Sequence, residues 1–157
     1  MYFKESNMKE RFDKARTDLS KLVLRKASLI QHLHGKGYKP MLEVPDVLSS
    51  MTRAWHDLPY YPVYSGASDK TVYSFAECNY AFRFWHDYLH ILHGKEIDAE
   101  GEFFVAALHV DAASRLSHDA AALMRIETQG QTEHYLAHGE FPEDQLAFSW
   151  AKFQLLA

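Results

Sequence analysis

His86 and His90 stand four residues apart in the segment FRFWHDYLHILHGKEIDAEGEFF, residues 82–104. On a helix that spacing places both imidazoles on one face, a turn apart, where they can grip a single ion. Asp87 adjoins the first histidine, where it can orient a ligand or serve as one. Gly94 lets the chain reverse, and Glu102 opens the next predicted helix within reach of the same point. Two neutral imidazoles and a carboxylate leave positions open for water or substrate. That is the ligand count of a catalytic site, not of a closed structural zinc. An ion held there would act as a Lewis acid or activate a bound oxygen ligand. No individual catalytic residue beyond the ligands can be assigned. The plainer reading is coincidence: the chain has ten histidines in 157 residues, and some pairs fall at this spacing without binding anything.

Other polar residues share faces with this segment. His109 follows Glu102 by seven residues, two turns along one helix face. Glu127, Gln131, His134 and His138 are spaced four, three and four, so they too share a face. These residues can add a ligand, a general base or a hydrogen bond that orients a ligand; the ordinary reading is a solvated polar stripe. Arg83 lies one turn before His86. It can receive an anionic group of a substrate, although such an arginine more often pairs with a nearby acid.

The pattern His86-Asp87-Tyr88-Leu89-His90, eleven residues, then Glu102 resembles the signature of the ubiquinone-biosynthesis family known as coenzyme Q biosynthesis protein four. Gly94, four residues after the second histidine, and Gly101, directly before the glutamate, look like that family too. The resemblance covers residues 82–105 alone, and the chain is shorter than typical members. It implies a divalent metal, usually zinc, held by His86, Asp87, His90 and Glu102; iron and manganese suit the same donors. It further implies an all-helical fold with a hydrophobic groove for a prenylated ring. The associated chemistry removes a carboxyl group from a polyprenyl benzoate and hydroxylates the same carbon.

Two other classes compete. A metal-dependent phosphohydrolase of the HD superfamily would use His56, the His86-Asp87 pair and either Asp111 or Asp119, leaving His90 and Glu102 idle. A helical scaffold without a metal would use its basic N-terminal helix as a contact surface. Whether the protein is an enzyme stays open at this point. A di-iron bundle is argued against because no Glu-x-x-His occurs, and the common zinc peptidases because HExxH is absent. There is no Gly-rich phosphate loop. Cys78, the single cysteine, reads as a core residue and excludes an internal disulfide.

The elements that must position these groups read as helices. The chain length suits one domain with a core of its own. Apolar spacing predicts helices over about 5–34, from 45 or 46 to 55, 71–93, from 100 or 102 to 116, from 117 or 118 to 138 with an interruption at Gly130, and from 142 onward. The expected fold is an all-α bundle of five to six helices. On the first helix Phe12, Ala15, Leu19, Leu22, Val23, Leu29, Ile30 and Leu33 form the predicted apolar stripe. Residues 57–70 read as a loop whose tyrosines lid a pocket or cap a core edge, and 60–75 have room for a short hairpin. Residues 1–40 carry a net charge of +6 and residues 41–157 a net of −10. The basic residues are spread along a helix, so packing on the acidic body is expected ahead of nucleic-acid binding. No apolar run is long enough to span a bilayer, and the first residues lack a signal-peptide pattern, so a cytoplasmic location is expected. The partners expected are a small or lipid-like ligand and a second copy of the chain.

Overall fold

Helix α1, Tyr2–His34, is the long member of the fold, and its inner face carries Met8, Phe12, Ala15, Leu19, Leu22, Val23, Ala27 and Ile30, all buried. Steps of three and four residues keep that stripe on one side over about six turns. The computed structural model describes residues 2–156. Leu29 and Leu33, expected in the stripe, are 49% and 63% exposed. They lie beside the buried line, not on it, and Ala27 takes the inward position instead.

After α1 the chain forms strand β1 (Gly37–Met41), helix α2 (Leu48–Asp57) and strand β2 (Tyr60–Tyr64). The strands pair in parallel, Gly37 opposite Tyr60 through Met41 opposite Tyr64, with α2 as the crossover. Residues 60–64, within the stretch with room for a short hairpin, pair instead with the distant 37–41. Residues 37–41 lie just past the end of a helix and contain Pro40, so local pattern gave no hint of a strand partner there. Tyr61 and Val63 of β2 are buried on the core.

Helix α3 (Ala76–His93) and helix α4 (Ala99–Ser114) carry the metal-ligand candidates. The predicted start at Thr71 is too early, because residues 71–75 are drawn into α1's side. Arg16 Nε donates to the Val72 carbonyl at 2.9 Å, and the Ser74 N–H donates to Ser20 Oγ at 2.9 Å. Those bonds hold backbone that a helix would need for itself. Val72 and Tyr73 are buried as anchors.

Helix α5 (His118–Arg125), a π turn (Ile126–Gly130) and helix α6 (Gln131–His138) form one rod, and α7 (Gln145–Leu155) closes the fold. Counting that rod once gives six helices among the described residues, as the sequence pattern predicts. Ser117 and Asp144 cap α5 and α7 by accepting from the Ala120 and Ala147 N–H groups. Arg11 grips Asp119 with two bonds, 3.0 and 2.8 Å, tying the basic helix to the acidic body. One core gathers α1, β2, α3, α4, α5 and α7 around Leu19, Phe84, Leu123 and Met124. Cys78 is buried within it. Among the described residues no helix is long and apolar enough to cross a membrane.

Candidate metal centre

The turn between α3 and α4 builds the site. Gly94 takes a left-handed conformation, φ 63°, directly after α3. Its N–H reaches the Ile91 carbonyl, and the Lys95 N–H reaches the His90 carbonyl at 3.0 Å. This is a Schellman closure, which glycine allows without the Cβ clash that other residues meet. It turns the Lys95 carbonyl back toward the helix, where His90 Nδ1 donates to it at 2.8 Å. Asp98 then caps α4 by accepting from the Gly101 N–H at 2.8 Å. Glu102 is delivered in the first turn of α4, where the helix dipole favours its negative charge.

Gly101 allows this return by having no side chain. A Cβ there would lie 1.8 Å from the Glu96 carbonyl oxygen, so the 95–98 loop would have to move. Gly101→Ala is expected to destabilise the protein by about 1–3 kcal/mol and to weaken metal binding by displacing Glu102. Parallel thermal melts and metal titration check both effects; unchanged values in both would show that the loop yields freely.

Three ligand atoms converge, one each from His86, His90 and Glu102, all within 4.8 Å of one another. His86 Nε2 lies 3.2 Å from Glu102 Oε2, and His90 Nε2 lies 2.9 Å from Glu102 Oε1. The two Nε2 atoms are 3.2 Å apart. His90 is fully buried, while His86 and Glu102 are partly open. Burial by itself pushes the Glu102 carboxyl up, but hydrogen bonds from His86 and His90 outweigh it and hold the group well below the usual carboxylate range. For His90, burial works against the charged ring, yet Glu102 and the Lys95 carbonyl raise its pKa above the ordinary value. Both directions describe one interaction, the attraction between the Glu102 carboxylate and the imidazoles that face it.

Asp87 stands apart from this trio. Tyr61 on β2 donates its hydroxyl to Asp87 Oδ2 at 2.9 Å. Burial raises the Asp87 pKa, against the lowering effects of His86 and the Tyr61 bond. Asp87 is not among the three converging ligand residues, and its recorded hydrogen bond comes from Tyr61, not from a ligand imidazole. His109 is at the site: its Nε2 lies 3.0 Å from His86 Nδ1, and the ring is fully buried. Burial, with His86 nearby, holds the His109 pKa well below its ordinary value, so the ring is neutral.

Arg83 lies on the wall of the adjoining pocket, but it also clips the loop after β2. Its guanidinium donates to the carbonyls of Tyr64, Gly66 and Ala67 and to Ser68 Oγ. It has no carboxylate partner among the described residues. The stripe from Glu127 to His138 is split. Glu127 and Gln131 are buried, with Gln131 Nε2 donating to Glu127 Oε1 at 2.8 Å. His134 and His138 face a different cleft of about 610 Å³, beside Phe148 and Lys152, away from the trio. The phosphohydrolase residues do not assemble: His56 is exposed on α2, Asp111 pairs with Arg115, and Asp119 is taken by Arg11.

A cavity of about 530 Å³ opens on His86 and Glu102. Its walls include Val44, Met51, Ile97, Tyr135, Leu136 and Phe141, with His86, Asp87 and Glu102 at one side. That volume suits one small organic molecule. Tyr64 reaches the cavity while Tyr61 is buried in the core, so the loop tyrosines divide between the two roles expected of them. The α6 wall, Thr132, Tyr135 and Leu136, was missed from the sequence. These residues lie on the rod next to a histidine stripe, and the π turn sets which side they present. The chain matches no protein-family model, no curated protein and no solved structure.

Proposed function

We propose that His86, His90 and Glu102 bind one divalent metal ion, and that the protein is a metal-dependent enzyme acting on a small aromatic or lipophilic molecule in the adjoining cavity. The observation that carries this reading is the convergence of two imidazole nitrogens and one carboxylate oxygen within 4.8 Å at the side of an apolar pocket. A ligand trio of that kind leaves open coordination on the pocket side. Zinc is the proposed ion; iron(II) serves the same two-histidine, one-carboxylate set. When bound, the ion supplies Lewis acidity to an oxygen of the ligand. The chain does the rest. Lys95 fixes His90 through its carbonyl, Tyr61 holds Asp87 on the cavity wall, and Ile97, Leu136 and Phe141 offer an apolar surface to a guest. The resemblance of residues 82–105 to the ubiquinone-biosynthesis family supports a lipophilic ring as that guest.

Elemental analysis of untagged protein tests the metal. About one metal per chain is expected in the parent, and none in His86→Ala or Glu102→Ala, with helical content unchanged in all three. A folded parent that stays metal-free after zinc, manganese and iron are offered would overturn the reading.

A further inference from the structure

We infer that His109 is a positioning residue that sets which nitrogen of His86 faces the metal; the inference rests on the metal reading above. A neutral imidazole has one nitrogen with a lone pair and one with a proton. For His86 and His90 to coordinate through the Nε2 atoms that face Glu102, each must carry its proton on Nδ1. For His90 this is settled locally. Its Nδ1 faces the Lys95 carbonyl, which can only accept, so the proton stays there.

His86 has no such partner. Its Nδ1 faces neither a carbonyl nor a carboxylate but the Nε2 of His109, 3.0 Å away, with the rings nearly parallel at 11°. His109 is walled in by Phe82, centroids 4.9 Å apart, and by Trp85, edge to face at 4.2 Å. Its other nitrogen, Nδ1, is buried and has no hydrogen-bond partner among the described residues. A buried polar nitrogen left alone is costly, and an apolar residue would fill such a hole without that cost. The one polar contact that His109 does make is to the ligand.

That contact has two settings. With the proton on His86 Nδ1 donating to His109 Nε2, the His86 Nε2 lone pair is free for a metal. With His109 Nε2–H donating instead, the His86 proton sits on Nε2 and points at Glu102 Oε2, 3.2 Å away. A carbonyl in place of His109 could support the first setting alone. His90 is therefore the fixed ligand and His86 the adjustable one, and His109 must accept for the site to load.

His109→Phe keeps the volume and the ring stacking but cannot accept. Removing an outer hydrogen-bond partner of a metal-bound histidine typically weakens binding 10–100-fold, and a zinc titration of this variant is expected to show a loss of about that size. His109→Gln offers Oε1 near the position of Nε2 and is expected to restore affinity to within a few-fold. Equal zinc affinity in the parent and His109→Phe would overturn the inference. The parent itself gives a test that needs no variant. In the zinc-loaded protein, nitrogen-15 spectra should place the His86 proton on Nδ1, hydrogen-bonded to His109 Nε2. A proton on His86 Nε2, or zinc bound through Nδ1, would overturn it whatever the variants do. A parent that takes up no zinc would instead fell the metal reading on which this one rests.

Discussion

At pH 8.5 the Glu127→Gln variant is expected to be more stable than the parent by roughly 3 kcal/mol, with the difference vanishing near pH 4. Glu127 sits in the π turn between α5 and α6, 6% exposed. Its carboxyl accepts from Gln131 at 2.8 Å and from Ser149 Oγ at 3.4 Å, both neutral donors. Burial raises its pKa to about 7, from an ordinary value of 4.5. The sign follows from linkage. A carboxyl whose folded pKa is raised stabilises the fold while protonated. That contribution is complete below pH 4.5 and is lost as pH rises through 7. Glutamine copies the protonated form: its oxygen can accept from Gln131 and its amide can donate to Ser149. For a chain of this length the gain corresponds to roughly 6–12 °C in melting temperature. Melts of both proteins from pH 4 to 8.5 check this. Parallel curves for parent and variant would mean that Glu127 titrates in the ordinary carboxylate range.

Zinc at a thousandfold excess over its dissociation constant is expected to stabilise the parent by about 4 kcal/mol, or roughly 8–16 °C. The size follows from mass action alone, since an ion that needs ligands from both α3 and α4 binds the folded chain and not the unfolded one. The His86–Glu102 and His90–Glu102 contacts span the turn that joins those helices, so the ion would pin the same closure that Gly94 and Gly101 permit. Glu102→Ala is expected to lose the whole shift. A chelator should return the parent to its metal-free melt. A parent whose melt ignores zinc, manganese and iron(II) would argue that the trio is held by hydrogen bonds alone.

The site was more legible than the frame around it. His86, His90 and Glu102 are close in sequence, and helix periodicity plus one glycine turn suffices to bring them together. Gly101 could be flagged only as a neighbour of Glu102; that it avoids a carbonyl emerges from packing. His109 was reachable because it repeats the Glu102 face two turns on. The split between Glu127 and His138 was not, because a π turn shifts helix phase without leaving a composition signal. The parallel β1–β2 pairing was hidden for a related reason. Neither strand alternates polar and apolar residues, and their partnership depends on a crossover. Residues 71–75 kept a helical spacing but lost the helix to Arg16 and Ser20, a tertiary competition that local pattern cannot register.

Phe12, near the start of the long helix, packs against Trp150 and Phe153 of α7, with ring centroids 5.0 and 5.3 Å apart. A ribosome delivers Phe12 well before those partners. At bacterial and eukaryotic elongation rates the interval is roughly 7–30 s. For that time the α1 stripe around Phe12 lacks its α7 cover, with the basic side chains of the same helix beside it. The net +6 of residues 1–40, one of whose arginines holds Asp119 in the finished fold, opposes the close approach of a second unfinished chain over that interval.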